Sequence, residues 1–511
     1  MKISRKVGFV LFSPTFYHFG LEIVKSTIDL NLCAGFIALT RGHHFVEKKL
    51  RKVESCYDVF SSLSFAEGLT KQYPSHKPSW FDREISRFDN IYGDGSLMKL
   101  VLSDRSLSPY DVSLESRVNY ELNHSFLHKV GYGYNVFFVL MLESALRRYM
   151  NSYNISYFLC FSASEVYTMT VELICKRYSI PFNHIDTSRI QDFYYIAPAT
   201  FSNLQPAREL YFSGKSPSSK AIKFANDFVT SFRSNPQFPA YEVSNRNTLL
   251  SNSLILAVSN LLKALLQGGF GILFSKAHLV QSLLKIAEFK RVVHKQFILD
   301  QSIFQKINSL PNNKYILFAL HVTPEKSTSV DCPEFTSHYE YIKKLSLELP
   351  ADVFIYVKEH VHMLGRRKEI FYKKLLSLPK VKLVDPYIPL FSLIPDCLGI
   401  ASINSTCGYE ALIFNKPVLY ASFNAFYANL PYTYFFQEPI QFREFISLIG
   451  NPGVVDRTVC SNAITLFIAH IFAISFRLPY STLWMQYSKS RQLTREQIDV
   501  AKALSKNIVA K

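Results

Sequence analysis

The stretch Leu398-Gly399-Ile400-Ala401-Ser402-Ile403-Asn404-Ser405-Thr406-Cys407-Gly408-Tyr409-Glu410-Ala411-Leu412-Ile413-Phe414 decides how this chain is read. Its first six residues form a short apolar run, as in a strand buried on both faces, and residues 409–414 carry the apolar spacing of opening helical turns. Between them stand Asn404, Ser405, Thr406 and Gly408, so hydroxyls and a glycine fall at the start of a predicted helix. Free backbone N–H groups and the positive end of the helix dipole meet at such a point, which suits an anionic phosphate.

The same pattern, an apolar strand ending in a polar loop, recurs upstream. Residues 315–320 are followed by His321, Pro324 and Glu325, and residues 353–357 by Lys358, Glu359 and His360. Helical spacing at 338–349 and 367–376, with strand-like runs at 381–384 and 418–421, makes residues 311–450 a doubly wound α/β domain. Ligands bind beyond the carboxyl ends of such strands. The candidate donor-binding residues are therefore His321, Lys358, Glu359, His360, Asn404, Ser405, Thr406, Gly408 and Glu410. Lys358 and His360 bring positive or donor groups, and Arg366 and Arg367, behind a turn at Gly365, offer forked contacts to phosphate oxygens. Glu410 suits ribose hydroxyls or simply the helix dipole, and Tyr427 either stacks on a base or packs. Each residue alone has a bland account as a cap or a solvated charge; three polar clusters at equivalent strand ends favour one shared site.

Toward the N-terminus, strand-like runs at 7–12, 34–39 and 157–161 alternate with helical spacing at 21–30, 136–150 and 166–178. This alternation predicts a second parallel sheet covered on both faces, in a domain spanning 1–212. Within it, the polar stretch 61–109 reads as an insertion or an acceptor-side loop region. Residues 213–310 begin polar and turn-rich and continue helical, as a helical bridge that ends at Ser309-Leu310-Pro311-Asn312-Asn313. Residues 451–511 read as a C-terminal helical segment.

At 511 residues the chain exceeds the size of a single growing core. Its 48% apolar and 19% charged residues exclude a disordered chain. The excess of 57 Lys+Arg over 40 Asp+Glu, a net +17, attracts phosphorylated substrates, anionic lipid or nucleic acid. No nucleic-acid reader motif accompanies the charge, so no nucleic-acid partner is expected. The eight cysteines form no Cys-x-x-Cys pair, and Cys160 and Cys397 read as small buried thiols in a reducing compartment. The basic start before residues 7–12 superficially resembles a signal peptide, but Pro14 and His18 cut the apolar run short. No window holds the ~20 uninterrupted apolar residues of a spanning helix. Residues 249–274 and 463–476 come nearest and read as core or interfacial helices. The expected location is cytoplasmic, with at most peripheral contact to an anionic inner membrane face.

At these residues a likeness to a known family emerges. The run from Tyr315 through His321, Pro324 and Glu325, then Val357-Lys358-Glu359-His360, Gly365-Arg366-Arg367 with Tyr372 and Leu375, Asn404 to Leu412, and Lys416-Pro417-Val418 resembles the bacterial capsular polysaccharide biosynthesis family. That family includes the Kdo transferases that build the lipid linker of capsules. A weaker echo lies at Arg189-Ile190-Gln191-Asp192. The resemblance implies a GT-B-like α/β fold, two Rossmann-type domains with a helical bridge and C-terminal helices. It implies a metal-independent glycosyltransferase of capsule or surface polysaccharide synthesis, with no cofactor beyond its nucleotide-sugar donor. That donor would be a CMP-linked ulosonic acid such as Kdo.

The family's phosphate-holding His-Pro and Ser/Thr motifs fall on His360 and on Ser405-Thr406. Val361 departs from the pattern, standing where the family has proline, and loosens the link to one donor. Catalysis would rest on Glu165 and Glu325, with Asp192 a further carboxylate, as nucleophile or base across an interdomain cleft. The acceptor, a glycan or lipid-linked oligosaccharide, would lie near Phe16, His18 and residues 61–109. Two alternatives remain: a UDP- or GDP-hexose-dependent transferase, and a non-catalytic protein that binds polysaccharide or assists its export.

Overall fold

The computed structural model describes residues 6–40, 44–70, 79–103, 132–161, 166–199, 202–236, 258–259, 262, 289, 291–299, 303–306, 314–323, 328, 331–332, 337–479 and 492–509. Among them the strands are β1 (Val7–Phe12), β2 (Gly35–Thr40), β3 (Cys56–Ser61), β4 (Ile155–Cys160), β5 (Phe182–Thr187), β6 (Phe193–Ala197), β7 (Phe304–Gln305), β8 (Lys314–Ala319), β9 (Val353–Lys358), β10 (Val381–Val384), β11 (Gly399–Ser402), β12 (Val418–Tyr420), β13 (Thr433–Phe435) and β14 (Phe476–Arg477).

They form two seven-stranded sheets. The first runs β14-β6-β5-β4-β1-β2-β3, parallel except where β6 lies antiparallel to β5 and β14 to β6. Every residue of β1 and β2 is buried, because helices on both faces leave no side of these apolar strands for water. The second runs β13-β12-β11-β8-β9-β10-β7 and is parallel throughout. Its core gathers Ile316, Phe318, Ile355, Val357, Leu383, Ala401 and Leu419 from successive strands.

Read from β10 to β13, the second sheet has the order 3-2-1-4-5-6 of a Rossmann fold, and the first repeats it from β3 to β6. The direction of winding reverses between β8 and β11 in one and between β1 and β4 in the other. The chain thus carries two Rossmann-type units, a GT-B-like fold, with C-terminal helices at Arg457–Ile474 and Arg495–Val509.

The first compact unit draws on Met1–Leu107, His128–Ala221 and Ala469–Lys511, and the second on Ile222–Ile468. Where the sequence set apart 451–511 as a terminal segment, residues from Ala469 onward group with the first unit. β14 adds a strand beside β6, and the helix Arg495–Val509 places Ala501, Leu504 and Ile508 in that unit's core. A two-residue strand carries no periodicity, so its pairing is decided by the partner it meets. Most of the expected bridge at 213–310 lies outside the described residues, apart from the helix Ser219–Ser234 and short pieces near 291–306.

The stretch expected to be a polar loop is helical where described, at Ser62–Thr70, Phe81–Tyr92 and Ser96–Ser103. Phe81 and Phe88, and Leu97 and Leu100, are buried at helical spacing while Asp82 and Arg83 are exposed, a pattern hidden in a stretch of high polar content. The helix Arg457–Ile474, with mean hydropathy 1.5, is long and apolar enough to cross a membrane by length and composition. This differs from the expectation that no segment qualifies. Its buried residues are Cys460 and Ile464, spaced as one helical face, and then all of Phe467, Ile468, Ala469, His470 and Ile471, so this end of the helix is enclosed by protein.

Candidate functional site

β8 and β11 are neighbours at the reversal point of the second sheet, and the loops that leave them are tied together. The Asn404 N–H donates to Nε2 of His321 at 3.2 Å. Nε2 is thereby an acceptor, so a neutral His321 carries its proton on Nδ1, which lies 3.3 Å from Nε2 of His338. The same His338 nitrogen receives the His321 main-chain N–H at 3.1 Å, and the two rings stack with centroids 5.4 Å apart. Both histidines are buried. Burial foremost, and then the neighbouring His338, His360 and Arg367, hold the His321 pKa well below the usual histidine range.

A buried ion pair braces the next loop. Arg367 Nε donates to Glu359 Oε2 at 2.7 Å, Tyr372 OH donates to the same oxygen at 2.8 Å, and the His360 N–H donates to Oε1 at 2.7 Å. Neither Glu359 nor Arg367 is exposed at all. A second Arg367 nitrogen donates to the carbonyl of His321, and the guanidinium lies over the Phe371 ring. Arg367, expected to fork onto phosphate, is therefore spent inside the fold; leaving it unpaired there would cost more than any surface contact returns. Lys358 is nearly buried and donates to the Pro386 carbonyl at 2.9 Å.

The helix after β11 runs Thr406–Ile413, three residues earlier than its apolar pattern suggested, because Ser405 caps it. Ser405 Oγ accepts the Cys407 N–H at 3.2 Å from an extended backbone, the arrangement that starts helices at serine. Asn404 Nδ2 donates to Asp331 Oδ2 at 3.2 Å, and Ser422 Oγ donates to the Asp331 carbonyl at 2.7 Å. Gly408 is buried, and a Cβ there would meet Tyr427 Cζ and its hydroxyl at 2.5 Å. Tyr427, which the sequence left between stacking and packing, is fully buried and packs. At the other end of this helix, Arg233 donates to the Ile413 carbonyl at 2.5 Å and to Asn415 Oδ1 at 2.9 Å, meeting carbonyls the helix leaves open.

Of the expected residues, His321, Lys358, Glu359, His360, Asn404, Ser405, Thr406, Gly408 and Glu410 all lie at or just beyond the carboxyl ends of β8, β9 and β11. They separate into two layers. His321, Lys358, Glu359 and Gly408 are buried, whereas His360, Asn404, Ser405 and Glu410 are half-buried and Thr406 is exposed. The outer layer offers backbone N–H groups, hydroxyls and an imidazole, a set suited to an anion; the inner layer holds it in place. Val361, where the family has proline, opens a 3-10 turn, Val361–Met363, closed by the Met363 N–H on the His360 carbonyl at 2.8 Å.

Glu165 and Glu325 lie outside the described residues. Asp192 is half-buried in the turn between β5 and β6. Phe16 is fully buried in the first unit's core, which removes it from the acceptor contacts. His18 lines a cavity of about 940 Å³ in the first unit, with Glu22, Lys25, Glu54, Tyr57 and Leu493 around it. That cavity follows the helix Tyr17–Asp29 toward the amino ends of β2 and β3, and none of the second unit's polar cluster lines it. Sequence reasoning missed His338, Asp331 and Arg233. Their partners are distant in the chain, so no local spacing announces them; Arg233 reaches Ile413 from 180 positions away.

Residues 250–433, less than half of the chain, match the model of a family described as capsule polysaccharide biosynthesis protein. No curated protein matches the chain. Among solved structures it is similar to the β-Kdo 2,4-transferase of Thermosulfurimonas dismutans KpsC, with 11% identity and TM-score 0.37 over 68% of this chain and 87% of that one. It is also similar to Staphylococcus aureus MnaA solved with UDP, at 11% identity and TM-score 0.29 over 91% and 94%. A glycosyltransferase from Rickettsia africae shares 9% identity at TM-score 0.28 over 99% of both chains. Scores this low carry no argument about chemistry, and the fold rests on the chain's own strand order.

Proposed function

We propose that this chain is a glycosyltransferase of bacterial capsule or surface polysaccharide synthesis whose nucleotide-sugar donor binds at the carboxyl edge of β8, β9 and β11. The observation that carries this reading is the Asn404 to His321 hydrogen bond, which pins the helix start at Ser405-Thr406 beside the reversal point of a Rossmann sheet. The family match over residues 250–433 supports the same chemistry.

In this reading the donor is a CMP-linked ulosonic acid such as Kdo. Its phosphate lies against the N–H groups and hydroxyls of Ser405-Thr406, with His360 alongside and Glu410 toward the ribose. The helix dipole and fixed donors meet the charge that grows on the leaving phosphate as the glycosidic bond breaks, without reorganisation at the moment of reaction. His321, Lys358, Glu359 and Gly408 shape the loops rather than touch the ligand. Glu165 and Glu325 remain the carboxylates proposed for the transfer itself, and the acceptor is a glycan or glycolipid met by the first unit. With a +17 charge the chain would work at an anionic membrane face.

Titration calorimetry with CMP-, UDP- and GDP-sugars tests this assignment. CMP-sugar binding that is lost in Ser405→Ala and His360→Ala, with folding intact, is the expected result. Preference for UDP or GDP moves the donor to a hexose, and glycan binding without any nucleotide binding defeats the enzyme reading.

A further inference from the structure

The loop after β12 carries three aromatic residues with opposite fates. Phe426 and Tyr427 are buried at 3% and 0%, while Phe423 is 60% exposed. One exposed phenylalanine is unremarkable by itself. Its placement is not: the Ala421 and Ser422 N–H groups both donate to the Ile403 carbonyl at 3.1 Å, so Phe423 follows directly on a residue bonded beside Asn404. The loop is also held in shape. Ser422 is fully buried; its Oγ donates to the Asp331 carbonyl at 2.7 Å and accepts the Asn424 N–H at 3.2 Å, and the Ala425 N–H closes a turn on the Ser422 carbonyl at 3.0 Å. Asp331 in turn receives Asn404 Nδ2, so the phosphate loop and the phenylalanine loop share one support.

Along the sheet edge the order is β12, β11, β8, β9. The tips therefore present an exposed aromatic ring, then the capped helix start, and then, two strands further on past the buried His321 of β8, the imidazole of His360, with neighbouring strands about 4.8 Å apart. A nucleotide sugar is a linear ligand with an aromatic base, a phosphate and a sugar in that same order. We infer that Phe423 is the platform on which the donor's nucleobase stacks, an inference that rests on the donor site proposed above and fixes the direction in which the donor lies. The sugar then falls on the side of His360, where a carboxylate-bearing sugar meets a basic group. Every base has a flat π-face, so stacking on Phe423 adds affinity without choosing among bases.

Calorimetry of the full chain with CMP and UMP tests this, using Phe423→Ala, Phe423→Leu and Phe423→Trp. The side chain is exposed, so folding, checked by circular dichroism, is unaffected. Base-on-aromatic stacking predicts that Phe423→Ala and Phe423→Leu weaken both nucleotides by about 5- to 150-fold, and that Phe423→Trp keeps wild-type affinity. Wild-type affinity in Phe423→Ala or Phe423→Leu overturns the inference and leaves the donor site standing. Failure of the unaltered chain to bind either nucleotide overturns the donor site and the inference with it.

Discussion

The main-chain N–H of Asn404 rests 3.2 Å from Nε2 of His321, joining the two loops that leave the sheet where its winding reverses. An imidazole thus does what a ladder hydrogen bond does within a sheet, two residues past the point where each strand ends. Replacing His321 with alanine leaves that N–H without its acceptor and empties a buried site. A loss of about 1–3 kcal/mol is expected from the orphaned donor alone. Urea unfolding measures it, and nucleotide affinity should fall with it because the helix start at Ser405 is no longer held.

The Glu359–Arg367 pair, with neither side chain exposed, makes a sharper stability prediction. Glu359→Leu strands a buried guanidinium and should cost about 3–5 kcal/mol. The double variant Glu359→Leu, Arg367→Met should recover part of that loss, since the cost lies in the uncompensated charge. A double variant less stable than Glu359→Leu would mean that Arg367's bond to the His321 carbonyl outweighs its charge.

Gly408 lies where a methyl group would strike the Tyr427 ring at 2.5 Å. Gly408→Ala should therefore cost about 1–3 kcal/mol as an overpacked core, despite alanine's better helix propensity. Tyr427→Leu made in the Gly408→Ala background should relieve the clash. Thermal melts of the single and double variants separate this from a general loosening of the helix.

His321 also predicts a pH dependence. Its folded pKa lies well below the ordinary histidine value of about 6.5, so the unfolded chain takes up that proton first as the pH falls. This contribution to stability is complete above about pH 6.5 and declines as pH falls from there toward the folded value. Burial foremost, and then the neighbouring His338, His360 and Arg367, keep the folded site from accepting the proton. Urea midpoints measured from pH 7.5 to 5 should fall for the unaltered chain, and less steeply for His321→Asn.

Much of the second unit was legible locally. The runs at 315–320, 353–357 and 398–403 are apolar because both faces of a parallel sheet are covered, and each became a strand of the same sheet. Positions at the strand ends followed from that, which is why Lys358, His360, Asn404 and Ser405 were found together. Ser405's cap was visible as a hydroxyl before the helix, though the start lay earlier than the apolar spacing of 409–414 suggested, because a cap and not hydrophobicity sets a helix start. The helices within 61–103 were hidden by the Ser, Asp, Tyr and Arg content of the stretch as a whole, and the pairing of β14 by its two-residue length.

What the sequence by itself determined is the pair of Rossmann-type sheets and the placing of polar residues at their strand ends, since both follow from periodicities of two and 3.6 residues that act over short distances. Only the tertiary structure decided which of those residues stay open to solvent and which are buried as braces for the others. Arg367 turned inward to Glu359, Tyr427 packed under Gly408, and Phe423 stayed exposed in the loop whose Ser422 N–H bonds the Ile403 carbonyl. The reason is that burial and pairing are settled by partners far away in the chain. A charged or aromatic side chain adopts whichever neighbour leaves no polar group unpaired, and local spacing holds no record of that neighbour.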